Sequence, residues 1–149
     1  MGKNLEYSTL QGLIINYSIK VEYLINEVLV SYFKPHNNVL FLSHVLNSSV
    51  MHYGGKLKVL NAIGLEKKDY EKLQRLGAIR NSFAHSNDSL NVAYFFSEKK
   101  DSCPKKHLSV MNSRGELKYK DINKLHEEFL KIFTDIEVVL KELKQSLIT

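Results

Sequence analysis

Arg80 and His85, with four residues between them, close an otherwise apolar helical run, Leu76-Gly77-Ala78-Ile79-Arg80-Asn81-Ser82-Phe83-Ala84-His85. An imidazole changes charge near neutral pH and can serve as acid or base, while a guanidinium is permanently charged and grips phosphate oxygens in pairs. On a helix turning about 100° per residue, Asn81 and His85 share a face and Arg80 lies roughly 140° from His85. The three therefore line one cleft only in part. They converge fully if the helix unwinds near His85, or if a second copy supplies its own across a two-fold axis. The same residues also have a structural use: Arg80 on the last helix carbonyls, Asn81 on backbone, and His85 as a cation at the negative end of the helix dipole. On spacing alone that capping role is the commoner one.

The rest of the sequence offers little catalytic pattern. It holds no phosphate loop, no Gly-x-Ser-x-Gly, no His-Glu-x-x-His and no tight carboxylate cluster, so no metal or cofactor is expected. His44 and His52 are eight apart, a spacing compact helical metal sites do not use, and both read as surface or half-buried histidines. Glu22 falls one step off the apolar stripe of the first helix. It could pair with Arg80, but an exposed helix carboxylate is the commoner case and it is left out of the expected site. The lone Cys103 excludes an internal disulfide and a multi-cysteine zinc site. The glycosylation patterns at Asn47 and Asn87 are read as chance.

The elements that must position Arg80, Asn81 and His85 are mostly helical. Leu10, Leu13, Ile14, Tyr17, Val21, Leu24, Ile25 and Val28 step by three and four, predicting a helix from about Tyr7 to Phe33 that Lys34-Pro35 ends. After the polar turn at His36-Asn37-Asn38, Val39 to Leu42 opens a shorter helix ending near Asn47. Gly54-Gly55 breaks the chain or allows a close backbone approach. Leu57, Val59, Leu60 and Ile63 then predict a short helix stopped by Gly64. The motif helix runs from about Glu66 to Ala84. Between Leu90 and Tyr119 the period changes to two at Val92, Tyr94 and Phe96, and again at Leu108, Val110, Leu117 and Tyr119, with turn residues at Asn112 to Gly115. Ile122, Leu125, Phe129, Ile132, Phe133, Ile136, Val139, Leu140 and Leu143 predict a last long helix to about Ser146, capped by Asp121. The expected fold is mainly α: an up-and-down bundle with a small β-hairpin or meander insertion at about 90–119, between the motif helix and the last helix.

With 149 residues, 44% of them hydrophobic and 25% charged, the chain can build one core, and a single domain over 1–149 is expected. No apolar run is long enough to span a bilayer and the first residues lack a signal-peptide stretch, so no membrane association and a cytoplasmic location are expected. Glu6 stands where N-terminal acylation wants Ser or Thr. The net charge of +5 favours polyanions, but only Arg75, Arg80 and Arg114 among 21 basic residues are Arg. Scattered Lys is more often a solvated surface than a nucleic-acid groove.

The string Arg80-Asn81-Ser82-Phe83-Ala84-His85 resembles the Arg-Asn-x-x-Ala-His form of the HEPN superfamily motif, an Arg followed by four to six residues and a His. The resemblance implies a four- or five-helix bundle with the motif at the end of its third or fourth helix. It also implies a metal-independent endoribonuclease of toxin or phage-defence type, working as a homodimer on RNA, with an antitoxin or regulatory protein as partner. Arg80, Asn81 and His85 would then be catalytic: His85 as base toward the ribose 2′-hydroxyl, Arg80 on the phosphate, Asn81 orienting His85, and a 2′,3′-cyclic phosphate as product. Lys56 to Leu65 looks like the segment preceding the motif in the mannitol-repressor branch, which implies instead a non-catalytic regulator or binding module. A nucleotide-binding accessory domain is a third reading. Toxins controlled by a nucleotidyltransferase carry a Tyr two residues after the His. Here that position is Asn87, which departs from that pattern.

Overall fold

The computed structural model describes residues 7–84, 107–111 and 117–148. Those residues form a mainly α-helical bundle. Helix α1, Tyr7–Phe33, buries Leu10, Ile14, Val21, Ile25, Val28 and Leu29 along one stripe. It ends as the residue pair Lys34-Pro35 requires: proline disfavours right-handed helical geometry in the residue before it, and Lys34 adopts φ 47°. Asn37 then accepts from the Leu40 N–H at 3.0 Å and caps a single turn, α2, Asn38–Leu40, which runs on as a π-helical turn, Phe41–Val45.

Helix α3, Tyr53–Ile63, starts earlier than the sequence spacing predicts. Gly54-Gly55 does not break the chain; it lies in the first turn of α3, where the His52 ring caps the helix by accepting from the Gly55 N–H at 3.0 Å. Gly64, at φ 123°, closes α3, with Leu65 N–H donating back to the Leu60 carbonyl at 3.0 Å. The chain reverses into α4, Lys67–Ala84, whose buried stripe is Leu73, Leu76, Ile79 and Phe83. In this α3/α4 hairpin Tyr53 packs on Gly77, where an added Cβ would lie 2.7 Å from the ring. The Tyr53 hydroxyl donates to the Leu73 carbonyl at 2.6 Å.

Two strands, β1, His107–Met111, and β2, Leu117–Asp121, pair antiparallel with Ser109 opposite Tyr119. The alternation at Val92, Tyr94 and Phe96, the lone Cys103 and the turn at Asn112 to Gly115 lie outside the described residues. Asp121 accepts from the Asn123 and Lys124 N–H groups and caps α5, Ile122–Ile148.

Helices α1 and α5 make the most extensive helix pair among the described elements. They run parallel, since Tyr17 meets Phe133 with ring centroids 4.7 Å apart and, ten residues on, Glu27 meets Lys144 at 3.4 Å. Helix α4 lies antiparallel to α5, because Arg75 pairs with Glu128 while the earlier Lys72 pairs with the later Asp135. It follows that α4 is antiparallel to α1, which brings the last described turn of α4 against the first described turns of α1. There Tyr7 stacks on Phe83, centroids 5.9 Å apart.

Candidate functional site

The end of the motif helix is held from α1. The Phe83 carbonyl accepts from the Tyr7 hydroxyl at 3.1 Å and from the Gln11 side-chain amide at 2.7 Å. These two α1 side chains tie the last described turn of α4 to α1. Arg80 and Asn81, one turn earlier, are exposed and bond to each other, Arg80 Nη1 donating to Asn81 Oδ1 at 3.2 Å. Among the described residues neither side chain bonds a helix carbonyl. His85, the residue after the last described position of α4, lies outside the described residues.

Arg80 and Asn81 border a cavity of about 600 Å³ enclosed by α1, the segment leading into α3, and α4. Ile15, Ile19, Leu57 and Leu76 give it an apolar side, and Glu22, Ser48, His52, Gln74, Arg80 and Asn81 a polar one. Glu22 is therefore not the exposed helix carboxylate its position on α1 suggested. Its Oε1 takes the Lys56 ammonium at 2.9 Å and the Ser48 hydroxyl at 3.0 Å, and its side chain is 30% exposed against 1% for Lys56. Burial alone would raise the Glu22 carboxyl pKa. The hydrogen bond and charge of Lys56, the Ser48 hydroxyl and the Arg80 charge outweigh burial and hold it below the ordinary carboxylate range. Burial pushes the Tyr53 hydroxyl well above its ordinary value, and the Glu22 charge adds to that.

Lys56 was visible in the sequence as a basic residue within an apolar run, but nothing in the spacing joined it to Glu22, 34 positions away. His52 is exposed, lines the cavity, and uses Nδ1 as the acceptor that caps α3, which leaves the ring proton on Nε2. His44 is exposed and bonds Ser43. Among the described residues no group of three or more His, Cys, Asp or Glu is placed to hold a metal ion, and no helix is long and apolar enough to cross a membrane.

Comparison with protein-family models, with curated proteins and with solved structures gives no match to this chain. The geometry of the cleft and the chemistry of its residues therefore carry the functional reading.

Proposed function

We propose that this chain is a HEPN-type, metal-independent endoribonuclease of the toxin or phage-defence kind, working in the cytoplasm as a homodimer. The observation that supports it most is that Arg80 and Asn81, both exposed, stand on the rim of a cavity of about 600 Å³, within the range of small-molecule sites. Both side chains, in this reading, face a ligand. In this reading Arg80 holds two oxygens of the scissile phosphate. His85 takes the proton of the adjacent ribose 2′-hydroxyl, and the resulting oxyanion attacks phosphorus. The 5′-oxygen of the next nucleotide leaves and is protonated by solvent or by the imidazolium, giving a 2′,3′-cyclic phosphate and a 5′-hydroxyl end. Asn81 keeps Arg80 on the rim through its amide oxygen. The angular spread of Arg80 and His85 on one helix is the reason for a second copy: a two-fold axis near the end of α4 lets Arg80 of one chain serve the cleft that receives His85 of the other. The strands before α5 belong, in this reading, to an insertion after the motif helix, and an antitoxin would act by covering the rim.

The test is cleavage of total and structured RNA with chelator present by wild type, His85→Ala and Arg80→Ala, with thermal melts alongside. Loss of a general base or of phosphate charge stabilisation lowers the rate by about 10² to 10⁴. Equal cleavage by all three proteins would mean contamination and leave a non-catalytic regulator of mannitol-repressor type as the better account.

A further inference from the structure

The cavity beside Arg80 is larger than a phosphate grip needs, and its polar equipment is of mixed kind. At about 600 Å³ it falls within the range of small-molecule sites, roughly 300 to 1,000 Å³. Its cations, Arg80 and Lys58, suit a phosphate at the rim. Farther along α1, Glu22 presents an ionised carboxylate whose Oε1 already receives both Lys56 and Ser48. Its Oε2 has no hydrogen bond among the described residues and remains an acceptor at the cavity wall. Lys56 lies 1% exposed behind the carboxylate, so Glu22 is fixed from the protein side and meets the ligand as a pure acceptor.

The arrangement selects among bases by elementary hydrogen-bond chemistry. A carboxylate repels any base edge that turns a lone pair toward it. Adenine and cytosine each offer one amino donor next to a ring-nitrogen acceptor, and uracil offers one N–H between two carbonyls. Guanine alone presents two neighbouring donors, N1–H and the 2-amino group. The apolar side of the cavity, Ile15, Ile19, Leu57 and Leu76, gives the flat faces of a base somewhere dry to lie.

We infer that this cavity is a guanine-recognition subsite, in which the two lone pairs of Glu22 Oε2 receive the N1–H and 2-amino donors together while Arg80 holds the phosphate of the same nucleotide. The inference deepens the ribonuclease reading and rests on it for its choice of an RNA nucleotide as ligand. Glu22 is thereby the residue that sets base preference, and cleavage falls next to guanosine.

The decisive experiment varies the ligand. Calorimetric titration of wild-type protein with the 3′-monophosphates of guanosine, inosine, adenosine and uridine is expected to rank guanosine first. Inosine, which lacks only the 2-amino group, should bind about tenfold or more weakly, the usual loss for one hydrogen bond to a charged acceptor. Glu22→Gln should bring guanosine and inosine to within about twofold of each other. That variant also strips Lys56 of its countercharge, so the ligand series on wild type carries the test by itself. Equal affinity for all four nucleotides, or no binding of any, overturns the subsite. RNA cleavage without base preference would then leave the ribonuclease reading standing alone, whereas guanosine selectivity without any cleavage would uphold the subsite and remove the ribonuclease.

Discussion

Splitting the Glu22–Lys56 pair should have unequal consequences on its two sides, and the structure says which side is worse. Lys56 is 1% exposed and its ammonium meets Glu22 at 2.9 Å, whereas the Glu22 side chain is 30% exposed, faces a cavity, and also receives Ser48. Removing one partner of a fully buried pair costs about 3 to 5 kcal/mol because the other charge is stranded in a poor solvent. Glu22→Gln strands the buried ammonium but leaves it an amide oxygen, so we place its cost at the low end, about 3 kcal/mol. Lys56→Met keeps the apolar stem and strands a carboxylate that solvent and Ser48 still reach, so about 1 kcal/mol is expected. For a domain of this size, at about 2 to 4 °C per kcal/mol, the two melts should fall by about 6 to 12 °C and 2 to 4 °C. The sign of the pH dependence follows from the same contact. The folded-state pKa of Glu22 is lowered from 4.5, so its stabilisation is complete above the ordinary carboxylate range and is lost as pH falls through the folded value. Glu22→Gln should therefore also flatten the acid limb of the stability curve. Urea melts of both variants between pH 3 and 7 are the measurement. A Lys56→Met penalty equal to or larger than that of Glu22→Gln would show that the ammonium is not the stranded charge, and the account of the cavity wall would fail with it.

Other expectations follow from single contacts. Gly77→Ala should lower the melting temperature despite the helix propensity it gains, by about 1 to 2 kcal/mol, because its Cβ would lie 2.7 Å from a Tyr53 ring that the Leu73 hydrogen bond holds in place; an unchanged or raised melt would contradict that packing. His126 has its pKa lowered by burial, with Nε2 buried and unbonded among the described residues, so the fold should lose stability as pH drops below the ordinary histidine range, and His126→Gln should remove that slope while leaving the Glu22 slope at lower pH. Arg75→Ala should cost no more than about 1 kcal/mol in thermal melts, since the pair it forms with Glu128, although two-pronged, is more than a third exposed on both sides. Light scattering should give twice the chain mass at tens of micromolar; a strict monomer would remove the composite Arg80/His85 site.

The long helices were legible because a continuous apolar stripe has one way to be buried, and α1 ends where Lys34-Pro35 said it would. The start of α3 was not. Two glycines read as a break because each costs roughly 1 kcal/mol of helix propensity, yet in a first turn the N–H groups have no intrahelical partner to lose, and His52 supplies one for Gly55. The π turn at Phe41–Val45 leaves no mark in apolar spacing distinct from that of an α-helix. Glu22 shows a different limit. Periodicity places it at the edge of the stripe, and an edge residue is exposed or covered according to what a distant segment lays over it. Here that segment brings Ser48 and Lys56.

The choice between a capping and a ligand-binding role for Arg80 and Asn81 was open in the sequence for the same reason. Both roles use the same residues at the same helix end, so no count of spacings separates them. What the structure adds is which side chains reach the last described turn. Tyr7 and Gln11, more than seventy residues upstream, take the Phe83 carbonyl, and they can do so because α1 and α4 run antiparallel with their stacked rings, Tyr7 on Phe83, fixing the overlap. Among the described residues the Arg80 guanidinium bonds the Asn81 amide oxygen and neither a carboxylate nor a helix carbonyl. Beside it lies a cavity whose wall carries the fixed Glu22 carboxylate. The combination suits the proposed nucleotide, which has an anionic end and a donor edge.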